Sequence, residues 1–499
     1  MRRMKGIFGF FRESADKYPD NTFVQTGDKI WSYNDVDRIS GYVSELLLER
    51  GVQKGDRVVV FCDNSVQYIS AFIGILGCNA VVVPVNPSKM VDSILYIIEK
   101  CTPEVILTCN SAAPKLDQIT SLLRFKIINI DRLNIWSDHR QEGIIDCERG
   151  LTANDDDAAE ILFTSGTTAE PKGVTLTHGN LIANTEAIID YLKLTGSDSI
   201  LMSLPFTYSY GNSILLTHIF AGASIVIENA SAFPYKVMEE IKKSKVTGFS
   251  TVGSYINLML KYIKNPDGDE KFLDSLRYIT LAGEAANNDD VRYISRNYPD
   301  IEVFVMYGQT EAGARLSFLK PEMLQSKLGS IGKGLSNVEL KVVNGEGVEI
   351  MPGELGEIIA RGPNIMKGYW DDPAATEDVI RRGWLYTGDV ATVDEDGYIF
   401  IKGRRTDMIK HMGHRISPLE IENVINNCSY IKESAVVESI LDGVTVIKAY
   451  ITLNKTCTIE EIQRIVYPGL PLYMRPQVFE VIDQLPRTET GKIRRSGLR

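Results

Sequence analysis

The amino-acid sequence predicts an α/β fold of doubly wound, mainly parallel sheets, followed by a small barrel-like β-rich region and a C-terminal α+β region. Short, continuous apolar runs such as residues 58–61 alternate with segments of helical apolar spacing such as residues 65–76. Continuous apolar runs are typical of strands buried on both faces, and their alternation with helices is typical of parallel sheets. From about residue 329 the runs shorten and turns become frequent, which predicts the β-rich region.

The same alternation predicts further strands, and the length of the chain predicts several domains. The further strands are expected at residues 81–83, 105–108, 127–130, 224–227, 248–252 and 278–282. Because 499 residues are too many for one hydrophobic core, we expect more than one domain. The predicted units are a large domain over residues 1–402, divided at 1–160, 161–328 and 329–402, and a small domain over residues 408–499.

Turn and helix signals organise the last third of the chain. Glycine-containing clusters at residues 344–347, 352–353 and 396–397 predict the tight turns of an antiparallel sheet. Ser417, Pro418 and Glu420 occupy the N-cap, first and third positions of a predicted helix. The start of this helix places the domain boundary near residues 403–407.

Composition limits the class of partner and the compartment. The formal net charge is −11 and no basic stripe stands out, which argues against nucleic acid as the main partner. The 7 cysteines are odd in number and scattered without metal-ligand spacing, which predicts reduced thiols in a cytoplasmic protein. No apolar run approaches the ~20 residues of a membrane-spanning helix, so no transmembrane segment is expected.

The most informative segment, residues 162–173, joins an apolar strand to four hydroxyl residues, two glycines and Lys172. Such a loop can offer backbone N–H groups, hydroxyls and an ammonium group to a phosphate. Its spacing differs from the Walker pattern, since Pro171 stands where the second glycine would be and no Ser or Thr follows Lys172. A P-loop NTPase is therefore disfavoured, and the segment alone is also compatible with a polar surface loop.

Four more motifs decide between these readings. The loop resembles the phosphate loop of the adenylate-forming superfamily, which includes acyl-CoA synthetases, peptide-synthetase adenylation domains and firefly luciferase. Segments that resemble the family's other motifs follow in the family's order at residues 307–311, 386–389, 403–415 and 486–492. The resemblance covers nearly the whole chain. It implies that the C-terminal domain is mobile about a hinge within residues 403–407, at Thr406, where family members usually carry Asp or Lys.

The resemblance also implies a site for ATP or AMP. Tyr307 would offer an aromatic face to adenine, although core packing alone would also explain a tyrosine there. Thr310 would donate to the α-phosphate, Glu311 would bind Mg²⁺, and Asp389 with Arg404 would hold the ribose hydroxyls. The remaining residues assigned to the nucleotide are Thr164, Ser165, Gly166, Thr167, Thr168, Lys172, Gly283, Glu284, Ala285, Gly308 and Gln309.

The catalytic group implied by the resemblance is Lys492, acting with Thr310 and Glu311. Attack of a carboxylate on a phosphate brings two anions together, and a cation between them stabilises the transition state more than the ground state. Lys410, Gly413 and His414 are implied to form the channel for the thiol. A side chain at residue 413 would obstruct a pantetheine arm.

Residues 204–211 resemble the segment that shapes the acid pocket, which assigns Tyr208, Tyr210 and Gly211 to it. Both tyrosines are equally compatible with ordinary core packing. No acidic residue between Pro205 and Phe220 could hold an α-ammonium group, so an α-amino acid is disfavoured as substrate. We favour a fatty or other apolar acid.

Together these observations predict an AMP-forming carboxylate ligase that uses ATP, Mg²⁺ and a thiol acceptor. The expected acceptor is CoA, and the phosphopantetheine of a separate carrier protein is the alternative. A catalytically degenerate nucleotide-binding protein is the alternative from another class. The presence of Glu311, Asp389 and Lys492 argues against it, because a binding-only protein needs no catalytic cation.

Overall fold

The computed structural model describes residues 6–119, 125–133, 152–164, 171–229, 233–264, 270–411, 414–441, 444–487 and 493–498. The chain forms two compact units. The first contains nearly all of the chain up to Leu340 together with Ala360–Leu385, and the second contains Lys341–Ile359 and Tyr386–Arg499. The domain boundaries expected at residues 160, 328 and 403–407 stay predictions.

The helices and strands follow in chain order. The helices are α1 (Gly6–Lys17), α2 (Tyr33–Glu49), α3 (Val66–Gly77), α4 (Val91–Cys101), α5 (Ala113–Asp117), α6 (His178–Leu192), α7 (Ser209–Ala221), α8 (Pro234–Ser244), α9 (Gly253–Ile263), α10 (Asn288–Asn297), α11 (Pro373–Val379), α12 (Pro418–Asn426) and α13 (Ile459–Val466). The strands of the first sheets are β1 (Thr22–Thr26), β2 (Lys29–Ser32), β3 (Arg57–Phe61), β4 (Val81–Pro84), β5 (Val105–Thr108), β6 (Lys126–Asn129), β7 (Ala158–Thr164), β8 (Lys172–Thr177), β9 (Ser199–Met202), β10 (Ser224–Ile227), β11 (Gly248–Thr251), β12 (Tyr278–Leu281), β13 (Glu302–Tyr307), β14 (Ser317–Leu319) and β15 (Lys333–Gly334). The later strands are β16 (Glu339–Val343), β17 (Gly356–Arg361), β18 (Gly368–Tyr369), β19 (Ile380–Arg381), β20 (Trp384–Val393), β21 (Ile399–Arg404), β22 (Ile409–His411), β23 (His414–Ile416), β24 (Ile431–Leu441), β25 (Val444–Leu453) and β26 (Val478–Val481).

Two large sheets form the first unit. One has the order β15-β14-β13-β12-β11-β9-β10-β1-β2, and its strands from β13 to β1 run parallel. The other has the order β18-β8-β7-β4-β3-β5-β6, with parallel pairing from β7 to β6. Because parallel strands end at the same edge, each sheet gathers its strand-to-helix loops along one side. The predicted α/β fold with mainly parallel sheets is confirmed.

The strands and helices of these sheets form where the apolar pattern places them. The central strands β3 and β4 are buried along almost their whole length, as continuous apolar runs require. Between them, α3 is buried nearly all round, and its N-cap Ser65 accepts a hydrogen bond from the Tyr68 N–H at 3.2 Å. The apolar sequence of α3 therefore matches a helix enclosed by protein.

The second unit is β-rich at first and α+β at its end, as predicted. One sheet has the order β16-β17-β20-β21, and β19 pairs with the first residues of β20. The strands β24, β25 and β26 form a separate sheet, and α12 and α13 contribute Ile421, Ile425 and Ile462 to the core against it. The predicted turns carry glycines with positive φ at Gly347, Gly353 and Gly397.

The predicted start of α12 is confirmed at Ser417, Pro418 and Glu420, although only one of the two hydrogen bonds of a capping box forms. Ser417 is the N-cap, and its Oγ accepts from the Glu420 N–H at 3.3 Å. The Glu420 carboxylate instead accepts a hydrogen bond from Lys402 Nζ at 2.8 Å. An ion pair to Lys402 on β21 therefore takes the carboxylate that the capping box would use.

None of the helices in the described ranges is both long enough and apolar enough to cross a lipid bilayer.

Candidate active site

The ends of the predicted phosphate loop lie on neighbouring strands of the seven-stranded sheet. Thr164 ends β7 and Lys172 begins β8, and the two residues are opposite each other in the antiparallel pair. The Thr164 hydroxyl donates to the Lys172 carbonyl oxygen at 3.4 Å. Ser165, Gly166, Thr167 and Thr168 lie outside the described residues. The hairpin therefore fixes where the loop leaves and re-enters the sheet.

The Lys172 ammonium group lies beside an aromatic residue that the sequence analysis missed. Its Nζ is 4.9 Å from the centre of the Tyr369 ring, and the Tyr369 hydroxyl donates to Glu311 Oε1 at 2.9 Å. Tyr369 reaches this place because β18 pairs with β8, with Tyr369 opposite Val174. The structure thus brings Lys172 and Glu311, two predicted nucleotide-binding residues, to the same phenol.

Thr310 and Glu311 lie in a short 3-10 turn directly after β13. The Thr310 hydroxyl is 3.3 Å from the Ser209 hydroxyl at the first residue of α7. The Glu311 carbonyl oxygen accepts from the Met366 N–H at 2.9 Å, which ties the turn to the segment before β18. The backbone of the turn is therefore held on one side while both side chains project from the end of a parallel strand.

Glycine is required at residue 308 because the backbone of a later segment of the chain packs against its Cα. A Cβ at residue 308 would lie 1.8 Å from the Ala314 carbonyl oxygen, so any other residue would force the backbone apart. The sequence assigned this glycine to the nucleotide, and in the structure the space above its Cα is taken by Ala314. Its neighbour Tyr307 is buried, with 8% of its surface exposed. The stacking role of Tyr307 stays a prediction.

The second predicted adenine segment follows β12, an inner strand of the nine-stranded sheet. Gly283 has a φ of +89°, a conformation that glycine adopts without strain. The Glu284 carboxylate accepts from the Ser254 N–H in the first turn of α9. A Cβ on Gly253 would come within 2.7 Å of the Ala285 carbonyl oxygen, so the segment packs tightly on that helix. Gly283, Glu284 and Ala285 are all exposed.

The predicted acid-pocket segment forms the start of α7. Tyr208 is the N-cap of the helix, and a Cβ on Gly211 would lie 2.1 Å from the Pro205 carbonyl oxygen. The Tyr210 hydroxyl lies 2.8 Å from Thr280 Oγ1 and donates to the Thr280 carbonyl oxygen at 3.0 Å. The Arg315 guanidinium covers the Tyr210 ring at 4.2 Å. Tyr210 is thus a hydrogen-bonded bridge to β12 and not only an apolar core residue.

In the second unit, the predicted ribose residues form an ion pair. Asp389 on β20 and Arg404 on β21 are opposite each other, and Arg404 Nε lies 2.9 Å from Asp389 Oδ1. Arg404 also donates to the Thr387 carbonyl oxygen at 2.8 Å, and the Thr387 hydroxyl accepts from the Asp389 N–H at 3.1 Å. These contacts fix the direction of a carboxylate that is almost fully buried.

The predicted hinge and thiol-channel residues follow β21. Thr406 is exposed in the turn between β21 and β22. Lys410 is exposed on β22, and its N–H donates to Glu438 at 3.0 Å. The His414 ring stacks on Tyr473 with centres 4.0 Å apart, an aromatic partner that no local pattern indicates. Gly413 lies outside the described residues.

Lys492 also lies outside the described residues, but the residues on both sides of its motif are described. Arg487 pairs with Ile493 in a β-bridge, and the Arg494 N–H donates to the Pro486 carbonyl oxygen at 2.8 Å. Arg487 forms an ion pair with Glu433 on β24. The ends of the motif are therefore anchored to the C-terminal sheet.

A buried carboxyl group joins the phosphate-loop strand to the acid-pocket helix. Glu160 on β7 is fully buried, and Oε2 accepts from Asn212 Nδ2 on α7 at 2.5 Å. Burial raises the pKa of Glu160 to about 8, and the hydrogen bond from Asn212 lowers it only in part. Within the described residues, its Oε1 atom has no hydrogen-bond partner. The side chain is therefore mostly protonated at neutral pH.

The comparisons with known proteins agree with this geometry. The model of the AMP-binding enzyme family matches residues 11–370, and the model of the AMP-binding enzyme C-terminal domain matches residues 420–492. The long-chain-fatty-acid–CoA ligase of Bacillus subtilis is 29% identical, over 99% of this chain and 94% of that protein. The 4-coumarate–CoA ligase 1 of Petroselinum crispum is 29% identical, over 98% and 92% of the two chains.

A similar structure has also been solved. The o-succinylbenzoate CoA synthetase of Bacillus subtilis, in complex with ATP and a magnesium ion, has a TM-score of 0.87 and 28% identity. The match covers 98% of each chain.

Glu160→Gln should change the pH dependence of stability. The folded pKa of about 8 lies above the ordinary value of 4.5, so wild-type stability falls as pH rises through this range. The slope is at most about 1.4 kcal/mol per pH unit. The variant keeps an acceptor for Asn212 but has no charge to lose, so its free energy of unfolding relative to wild type should increase between about pH 5 and about pH 8.

Urea denaturation at a series of pH values measures this difference. Glu45→Gln, at an exposed position of α2, is the matched control and should show no trend. A constant difference between Glu160→Gln and wild type across the range would contradict the assignment.

Proposed function

The chain belongs to the AMP-binding enzyme family, and from that premise we propose that it is an AMP-forming carboxylate–CoA ligase. ATP and a carboxylic acid give an acyl-adenylate and pyrophosphate, and the acyl group then passes to the thiol of CoA. Relatives matched over nearly the whole chain are named as ligases of CoA with long-chain fatty acids and with 4-coumarate. The observation that carries the proposal is the cluster of Lys172, Tyr369 and Glu311 beside Thr310.

In the first unit, this cluster can bind the phosphates of ATP. Lys172 is a cation at the end of the phosphate-loop hairpin, and the Thr310 hydroxyl can donate to the α-phosphate. The hydroxyl of Ser209, 3.3 Å away, supports the orientation of Thr310. These groups hold a polyanion at the carboxyl ends of parallel strands, where ligands of open α/β sheets usually bind.

Glu311 suits a magnesium ion that arrives with the nucleotide. Mg²⁺ is commonly bound through one or two carboxylates together with substrate phosphates. Within the described residues there is no cluster of three or more metal-ligating side chains, so ATP and water would supply the other oxygens. The Tyr369 hydroxyl fixes the Glu311 carboxylate through a 2.9 Å hydrogen bond. When bound, the ion neutralises charge on the phosphates.

In the second unit, Asp389 suits a pair of ribose hydroxyls. A carboxylate can accept from two neighbouring hydroxyl groups, and the ion pair with Arg404 orients Asp389. The segment Thr387-Gly388-Asp389 places Asp389 in this ion pair. Gly388 has a φ of +74°, and its N–H donates to Glu357 at 3.1 Å, which stabilises the bend before the carboxylate.

The first reaction step joins two anions. A carboxylate oxygen of the acid attacks the α-phosphorus of ATP, the bond to the bridging oxygen of the β-phosphate breaks, and pyrophosphate leaves. We assign the cation between the two reactants to Lys492, since a positive charge there offsets the repulsion between the two anions as they meet. In the second step, the thiol of CoA releases its proton to solvent, the sulfur attacks the acyl carbon, and AMP leaves with the electrons of the carbon–oxygen bond.

CoA is the acceptor that the named relatives favour over a carrier protein. Lys410 and His414, with Gly413, are the residues we assign to its channel, and Thr406 is the proposed hinge. Scattered cysteines and substrates such as ATP and CoA support a cytoplasmic location for the enzyme.

Lys492→Ala should abolish most of the acid-dependent formation of AMP. Loss of one preorganised charge contact in a transition state typically lowers the rate by about 10²–10³. The assay measures AMP and pyrophosphate with ATP, Mg²⁺, CoA and a panel of carboxylic acids. Lys432→Ala, an exposed lysine of β24, is the control and should keep wild-type rates.

Each outcome of this assay has a distinct meaning. If the wild type forms AMP but no CoA thioester, the acceptor of the acyl group is a carrier protein and not CoA. ATP binding without turnover on any acid would contradict the ligase function and support the degenerate nucleotide-binding alternative.

Tyr369→Phe should weaken the use of magnesium without affecting folding. The change removes the hydroxyl that orients Glu311 and keeps the ring beside Lys172. Loss of a group that orients a metal ligand typically costs about 10–100-fold in metal affinity or activity. The apparent Mg²⁺ requirement at fixed ATP should therefore rise, as measured by titrating Mg²⁺ in the AMP assay. Tyr398→Phe, in the turn before β21, is the matched control. An unchanged Mg²⁺ requirement in Tyr369→Phe would contradict the role of Glu311.

A further inference from the structure

Arg315, just before β14, carries a buried guanidinium group without an acidic partner. Only 4% of its surface is exposed. Its Nε atom lies 3.2 Å from Met306 Sδ, and its charge covers the Tyr210 ring at 4.2 Å. Among the residues that the structure describes, no carboxylate forms an ion pair with it. The neutral phenol of Tyr191 lies near it: burial raises the pKa of Tyr191 to about 12, and the charge of Arg315 lowers it only in part.

This environment does not compensate a buried charge. Arginine stays protonated in proteins, so it cannot avoid the cost of burial by losing its proton. A thioether is a weak acceptor, and an aromatic face contributes modestly compared with a carboxylate. Buried charges are normally paired. An anion from outside the chain would therefore complete the site.

The position of Arg315 relates it to the acid substrate. The carboxyl group that reacts must lie near Thr310, whose hydroxyl is 3.3 Å from Ser209. Tyr210 is the next residue of α7, and its ring is the surface that Arg315 covers. A substrate that extends from Thr310 along the start of α7 would present its far end to this tyrosine and arginine.

The hydroxyl and carbonyl groups of Tyr210 have polar partners, although its ring also packs against the hydrophobic core. Its hydroxyl is held by Thr280, whose Oγ1 is also 2.7 Å from Ser250 Oγ. The Ser213 hydroxyl donates to the Tyr210 carbonyl oxygen at 2.7 Å. A pocket for a long alkyl chain would be lined mainly by apolar side chains. Serine, threonine and arginine suit the end of a polar substrate instead.

Resting on the ligase function proposed above, we propose that Arg315 binds a second carboxylate at the far end of the substrate. The substrates are then dicarboxylic acids, in place of the fatty or apolar acids that the sequence favoured. One carboxylate is adenylated near Thr310, and the other pairs with the Arg315 guanidinium through charge-assisted hydrogen bonds. Arg315 acts as a specificity-determining residue and takes no part in the bond changes.

The test compares acids that differ only in the second carboxylate. Pyrophosphate exchange into ATP is measured with the pairs glutarate and pentanoate, and adipate and hexanoate. Wild type should use the dicarboxylate of a pair with a kcat/KM at least about tenfold higher, since a hydrogen bond to a charged group is worth about 10–100-fold. Arg315→Gln should lose this preference, with little change for the monocarboxylate.

Two further variants separate charge from structure. Arg315→Lys keeps the positive charge but loses the planar guanidinium group, which can form two parallel hydrogen bonds to a carboxylate. It should therefore retain part of the preference for dicarboxylates. Arg292→Gln, on the exposed face of α10, should behave as wild type. If Arg315→Gln fails to fold, the wild-type preference and the Arg315→Lys variant decide the question.

The outcomes distinguish this inference from the proposed function. Exchange with monocarboxylates but not with dicarboxylates overturns the role of Arg315 and leaves the ligase function intact. An equal loss on both acids in Arg315→Gln also overturns it, because the residue then serves only the fold. Absence of exchange with every acid overturns the ligase function itself, and the inference with it.

Discussion

A Cβ at residue 308 would lie 1.8 Å from the carbonyl oxygen of Ala314, so only glycine lets the chain reverse between β13 and β14. Three contacts depend on this reversal. It places Thr310 beside Ser209, Glu311 beside Tyr369, and Arg315 over the ring of Tyr210. The proposed contacts to phosphate, metal and acid therefore come from one short stretch of chain, and a small displacement of its backbone would change all of them together.

The charges of the candidate site follow from the reaction. Both reactants are anions, so the protein must supply positive charge where they meet and must avoid leaving it uncompensated elsewhere. Lys172 lies against an aromatic ring, and Arg404 is paired with the carboxylate that it orients. Arg315 differs from both because its described neighbours are a thioether and phenols. Positive charge at a buried position without an acid partner is the physical basis for inferring a second anion on the substrate.

Local patterns predicted several strands, two helices and the ordered motifs, because strand burial and capping depend on residues close in sequence. The start of α12 at Pro418 follows from its cap, and β3 and β4 follow from continuous apolar runs. Contacts between distant residues were missed. Tyr369 and Glu311 are 58 positions apart, and they meet only because β18 pairs with β8. Gly308 was assigned to the nucleotide, but the contact that requires glycine there is with Ala314, which spacing alone does not show. The proposed acid pocket includes the contact of Tyr210 on α7 with Thr280 on β12, which could not be predicted from residues 204–211.

The central claim is that a carboxylate oxygen attacks the α-phosphorus of ATP, and isotope transfer tests it most directly. The acid is labelled with ¹⁸O in its carboxyl group and incubated with enzyme, ATP, Mg²⁺ and CoA, and the AMP is analysed by mass spectrometry. An acyl-adenylate keeps one carboxyl oxygen on phosphorus when the acyl group leaves, so AMP should carry one ¹⁸O atom and pyrophosphate none. Label in orthophosphate with ADP as the nucleotide product, or thioester formation with unlabelled AMP, would contradict the account.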